Sequence, residues 1–101
     1  MRLMVFFDLP VGTKEERRIA NQFRHFLKDD GYDMIQFSVY GRVINGSDGV
    51  QKHLGRLKQN LPPQGSVRVM QLTEKQFGGM LIMVGERRFQ ENRVDDRQMM
   101  L

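Results

Sequence analysis

The stretch that most constrains this chain is RLMVFFDL, residues 2–9. In an extended strand Leu3, Val5 and Phe7 point one way, and Met4, Phe6 and Asp8 the other. A strand with one wet face alternates apolar and polar residues. This one is apolar on both faces until its end, so it belongs in the middle of a sheet that is covered on both sides. Asp8 is the break. Ionised, buried and unpaired, its carboxylate would cost several kcal/mol. It therefore belongs at the mouth of the strand, beside a partner, or on a metal ion. Pro10 stops the ladder by removing a backbone donor.

A chain of 101 residues suffices for one domain with one core. No apolar run approaches the roughly 18 residues needed to cross a bilayer, so no membrane association is expected. The N-terminal apolar stretch meets Asp8 too soon to read as a signal peptide. Cysteine is absent, which excludes disulfides, thiolate metal sites and cysteine nucleophiles, and fits a cytoplasmic protein. Lys plus Arg number 16 against 12 Asp plus Glu, a net charge of +4 that makes polyanions the first partner class to test.

Thr13-Lys14-Glu15-Glu16 carries a capping-box pattern, and Ile19, Phe23, Phe26 and Leu27 follow on one stripe. Together they predict a helix over residues 14–30, closed by Gly31. Residues 32–44 are β-branched and aromatic, long for one strand, and either bend near Ser38 or Gly41 or divide in two. Val50, Leu54, Leu57 and Leu61 mark a second helix over 48–60. His53 is read as an exposed residue of that helix, because no second ligand type stands at metal-binding spacing. Residues 66–73 are a strand, Thr73-Glu74-Lys75-Gln76 a short turn, and residues 80–84 a further strand. A single domain over residues 1–86 then gives way to a charged segment, 87–101. That segment ends in Met99, Met100 and Leu101, an apolar triplet suited to a short strand added to a sheet edge, including one on a partner subunit.

The order β-α-β-α-β-β implies an α+β sandwich with both helices on one face of an antiparallel sheet. The other face stays apolar and open, and a second copy of the chain is the economical cover. A homodimer packed face to face is the expectation. Its two-fold axis would let the Asp8 carboxylates of two subunits share one Mg²⁺, which relieves their repulsion. A structural cap for the following turn is the competing role for Asp8. The chain holds no Ser-His-Asp set, Walker phosphate loop or dinucleotide fingerprint. Arg17 and Arg18 early in the first helix, with Arg87 and Arg88 after the last strand, are the candidate phosphate contacts, for backbone rather than base recognition.

Four short motifs in register carry a resemblance. These are Phe6-Phe7-Asp8-Leu9-Pro10, Gln36-Phe37-Ser38-Val39-Tyr40, Thr73-Glu74-Lys75-Gln76-Phe77 and Gly85-Glu86-Arg87. In order and length the chain resembles the CRISPR-associated protein 2 family, in the variant that accompanies type II systems. The resemblance implies a ferredoxin-like fold, a homodimer, and Mg²⁺-dependent endonuclease activity on RNA or double-stranded DNA. It identifies Asp8 with the metal-binding, catalytic aspartate closing strand one. Many relatives carry tyrosine where this chain has Phe7. It also implies a partner, the integrase known as CRISPR-associated protein 1, with which new spacers are captured in antiviral defence. Two other readings share the architecture: a non-catalytic DNA-binding scaffold bridging integrase dimers, and a ferredoxin-like toxin ribonuclease.

Overall fold

The computed structural model describes residues 1–85 and the backbone of 99–100. The long apolar stretch forms β1 (Arg2–Asp8), and the capping box starts α1 (Lys14–Asp29). Both halves of that box are made: Glu16 N–H donates to Thr13 Oγ1 at 3.0 Å, and Thr13 N–H to Glu16 Oε1 at 2.9 Å. The stretch 32–44 divides into β2 (Asp33–Gln36) and β3 (Val39–Val43), joined by a tight turn in which Ser38 adopts φ 69°. Then come α2 (Gly46–Gln59), β4 (Ser66–Leu72), α3 (Glu74–Gly78), β5 (Leu81–Ile82) and β6 (Met99–Met100).

The main sheet has the order β2-β3-β1-β4, with β1 antiparallel to both of its neighbours. This βαββαβ arrangement is ferredoxin-like. The expected central place of β1 holds, and the reason is its double apolarity. Leu3, Val5 and Phe7 pack under Ala20, Phe23 and Leu27 of α1 and Val50 and Leu57 of α2. Phe7 meets Phe23 edge-on at 5.2 Å and lies 5.7 Å from the Tyr40 ring. A side chain at position 41 would collide with the Met4 sulfur at 2.6 Å, so Gly41 is what lets Met4 lie flat on the opposite face.

That opposite face is where the structure departs from expectation. Thr73-Glu74-Lys75-Gln76 is no simple turn but the start of α3, closed by a second capping box of Thr73 and Gln76 with bonds of 2.9 and 3.0 Å. The reciprocal side-chain bonds satisfy the first free N–H groups, and the same signal as at Thr13 was present in the sequence. Phe77 is fully buried against Met4 and Ile35, and its burial contributes about 2 kcal/mol. Buried Arg2 fastens α3 to the sheet: its Nε donates to Glu74 Oε2 at 3.0 Å and its guanidinium lies 4.2 Å from the Phe77 ring centre. Two helices cover one face and a third, short one covers part of the other. Met70, half exposed on β4 opposite Met4, lies beyond its reach.

The strand expected over 80–84 shrinks to β5, which pairs in parallel with β6 of the same chain through Leu81–Met99 and Ile82–Met100. Residues 86–98, which include Arg87, Arg88 and most of the expected C-terminal segment, lie outside the described residues. Among the described residues no helix is long and apolar enough to cross a membrane.

Candidate active site

Asp8 closes β1 at one end of the sheet, opposite Ser66 of β4, with its side chain in solvent. Leu9 and Pro10 turn the chain away immediately. The approach of β4 is close here: a Cβ on Gly65 would stand 2.6 Å from the Asp8 carbonyl oxygen, and Gly65 has φ +94°. Only glycine meets both demands. On the other side, Phe7 N–H donates to the Ser38 carbonyl at 3.1 Å, which ties the β2–β3 turn to the residue before Asp8. The backbone around Asp8 is therefore held from both neighbouring strands, while no ion pair or side-chain hydrogen bond engages its carboxylate among the described residues. The Ser38 backbone thereby reaches this mouth. Tyr40 is buried in the helix-covered core, where its ring packs beside Phe7.

The two helix arginines differ. Arg17 Nη1 donates to the Val11 carbonyl at 3.1 Å, so it braces the loop that follows Asp8. Arg18 is bound by Glu15 through contacts of 2.5 and 2.9 Å. That hydrogen bond lowers the Glu15 carboxyl below its ordinary range and raises the Arg18 guanidinium. Both side chains are fully exposed, so water screens the pair and Arg18 brings a locally compensated charge. Arg24 joins the site although no motif marks it. Its guanidinium lies 4.4 Å from the Phe37 ring centre and 5.6 Å from that of Phe7.

His53 overturns its surface assignment. It is buried, with Nδ1 3.2 Å from Asp30 Oδ2, and Arg56 Nη1 stands 2.9 Å from Asp30 Oδ1. Arg42 Nη1 also donates to the Asp30 carbonyl. This cluster joins the C-terminal end of α1 to α2 and β3 and is far in the chain from Asp8. It buries a histidine read from the sequence as exposed, although Val50 three positions before it and Leu57 four after it are buried on the same face of α2.

Among the described residues no group of three His, Asp or Glu side chains converges as a metal site. At this strand end, among the described residues, the chain thus offers one carboxylate. Its hard oxygens suit Mg²⁺, which keeps several waters and takes one or two carboxylates, so the donor chemistry fits a site completed by a second Asp8.

A ferredoxin-like sheet with an unpaired aspartate at the exit of its central strand, held in place from both sides, defines a class of small α+β proteins. The comparisons narrow the class. The family described as CRISPR associated protein Cas2 matches residues 1–80. The CRISPR-associated endoribonuclease Cas2 of Acidovorax ebreus (strain TPSY) is 58% identical over 101 residues, covering 100% of this chain and 99% of that protein. That of Lacticaseibacillus rhamnosus (strain ATCC 53103 / LMG 18243 / GG) is 40% identical over 101 residues and full length on both sides, covering 100% of each. That of Flavobacterium psychrophilum is 45% identical over 85 residues, 84% of this chain and 74% of its own. This chain belongs to the CRISPR-associated protein Cas2 family.

Proposed function

We propose that this protein is an Mg²⁺-dependent endoribonuclease of the CRISPR adaptation machinery, working in the cytoplasm as a homodimer. Membership of the family supports a CRISPR-associated nuclease, and the names of its relatives support RNA as substrate. The observation that carries the site is Asp8: an exposed carboxylate with no internal partner, on a backbone clamped by Ser38 and Gly65. An unpaired acid on a rigid strand end is ready to bind a cation without first breaking an ion pair.

Asp8 of each subunit would hold the ion. Bound Mg²⁺ supplies charge stabilisation at the phosphodiester and a more acidic water. Arg17 steadies the loop beside Asp8 through the Val11 carbonyl. Arg17, Arg18, Arg87 and Arg88 are the residues for the nucleic-acid backbone, DNA included, with Arg18 weakened in that role by Glu15. The part of the sheet face beyond α3, with Met70 and half-buried Phe6, supports the homodimer as its cover.

The test is Asp8→Ala, assayed on single-stranded RNA with and without Mg²⁺. Loss of Mg²⁺-dependent cleavage, with the fold intact by circular dichroism, is expected. Cleavage that survives the change removes Asp8 from the chemistry. One observation favours a second reading: among the described residues no group of three metal-ligating side chains forms around Asp8, which is sparse equipment for a nuclease. In that reading the dimer is a scaffold that joins dimers of the CRISPR-associated protein 1 integrase during spacer capture. Spacer acquisition that persists in Asp8→Ala cells supports the scaffold for that process.

A further inference from the structure

Phe37 is 74% exposed, the most open aromatic ring among the described residues. It stands at the tip of the β2–β3 turn, next to Ser38, whose φ of 69° sets the turn and whose carbonyl is bound by Phe7 N–H. The ring is therefore positioned by the strand that ends in Asp8. Its covered side faces the Arg24 guanidinium at 4.4 Å. Arg24 is itself packed near the Phe7 ring, its Nη1 lies 3.3 Å from Asn21 Oδ1, and its Nε is buried without a hydrogen-bond partner. That arginine is spent as a plate behind the ring and is poorly placed to reach out to a phosphate.

A large apolar ring left mostly in water buries little area and contributes little to folding. With a cation stacked on one side and solvent on the other, it offers a free π face. Unpaired nucleobases bind such faces, by stacking that tolerates any base. The bases of an intact duplex are already stacked on each other. We propose that Phe37, backed by Arg24, is a stacking platform for one unpaired base of the RNA strand presented to Asp8, and that it selects single-stranded over duplex substrate. This rests on the endoribonuclease reading above.

The experiment uses full-length Asp8→Asn protein, which holds the strand uncut, and a labelled short single-stranded oligoribonucleotide followed by fluorescence anisotropy. Phe37→Ala in that background should weaken binding about tenfold, the scale of one lost stacked base. Phe37→Trp should restore affinity. The dependence of affinity on salt should keep its slope, because no phosphate contact is lost. An abasic position scanned along the RNA should reproduce the loss at one place, and there Phe37→Ala should have no further effect. Unchanged affinity in Phe37→Ala, while wild-type protein still cleaves RNA, overturns the platform and leaves the nuclease reading standing. Wild-type protein that neither binds nor cleaves RNA overturns both. Intact RNA affinity with a changed sedimentation coefficient in Phe37→Ala assigns the ring to a contact between copies of the chain and overturns the platform.

Discussion

Asp8 and Asp30 are two carboxylates with opposite fates. Asp30 has a side chain only 8% exposed and is answered on both oxygens, by His53 at 3.2 Å and Arg56 at 2.9 Å. Asp8 stands in solvent and receives no side-chain partner among the described residues. Burial makes partners compulsory, because a desolvated charge without them is strongly destabilising. Exposure leaves a carboxylate free for a cation from outside. The contrast separates the acid that holds the elements together from the acid that is available for chemistry.

Four outcomes break or sharpen that contrast. The largest concerns Asp30→Ala, which leaves buried His53 Nδ1 without its hydrogen-bond partner and Arg56 without its counter-charge, detaching Arg56 from the end of α1. It should lower the unfolding free energy by about 3 kcal/mol in urea denaturation. A loss no greater than that of a surface substitution would make the buried cluster dispensable.

Tyr32 comes next. Its hydroxyl is buried with no hydrogen-bond partner. Burial first, and then the nearby Asp30 charge, push its phenol up from the ordinary 10.0 to about 12. The folded state therefore binds the proton more tightly than the unfolded chain. The contribution is complete below pH 10 and is lost as pH rises from 10 to about 12. Tyr32→Phe should be neutral or up to about 1 kcal/mol stabilising at pH 7. It should also flatten the fall in stability over that alkaline window, read by denaturation at a series of pH values.

The third is the stability of Asp8→Ala, measured beside its cleavage. The midpoint in urea should stay within about 0.5 kcal/mol of wild type, since no internal contact of the carboxylate is lost. A large destabilisation would make Asp8 a structural cap. The smallest effect is electrostatic. Arg17→Gln should flatten the plot of log affinity against log salt by about 0.7 for single-stranded RNA, and Arg18→Gln should do less because Glu15 already compensates its charge. Equal slopes for the two variants would remove the Glu15 pairing from the account.

Much of the architecture was legible in the sequence. Double apolarity put β1 in the centre, one capping box placed the start of α1 and Gly31 its end to within a residue, and the length of 32–44 announced a bend or a break. Among the features misjudged, two have identifiable reasons. Thr73-x-x-Gln76 repeats the signal of Thr13-x-x-Glu16, but the five-residue helix it starts is too short to show a stripe. His53 stands three positions after Val50 and four before Leu57, on the buried face of α2, but its polar side chain hid that, and its partner Asp30, the cap of α1, is twenty-three positions away in the chain. Asp8 was legible as a candidate site because a charge at the end of an apolar strand is a local anomaly. Phe37 and Arg24 were not, because exposed and buried aromatics look alike in a β-rich stretch.

By itself the sequence determined the local elements and the anomaly. Strand alternation, helix stripe and capping chemistry act over a few residues, so they are written in a few residues. Only the tertiary structure decided which of Asp8 and Asp30 is free. Asp8 ends an apolar strand and Asp30 caps an amphipathic helix, and their difference arises from what the fold brings to them. The antiparallel sheet delivers backbone from Ser38 and Gly65 to the one, and the crossing of α2 delivers an imidazole and a guanidinium to the other.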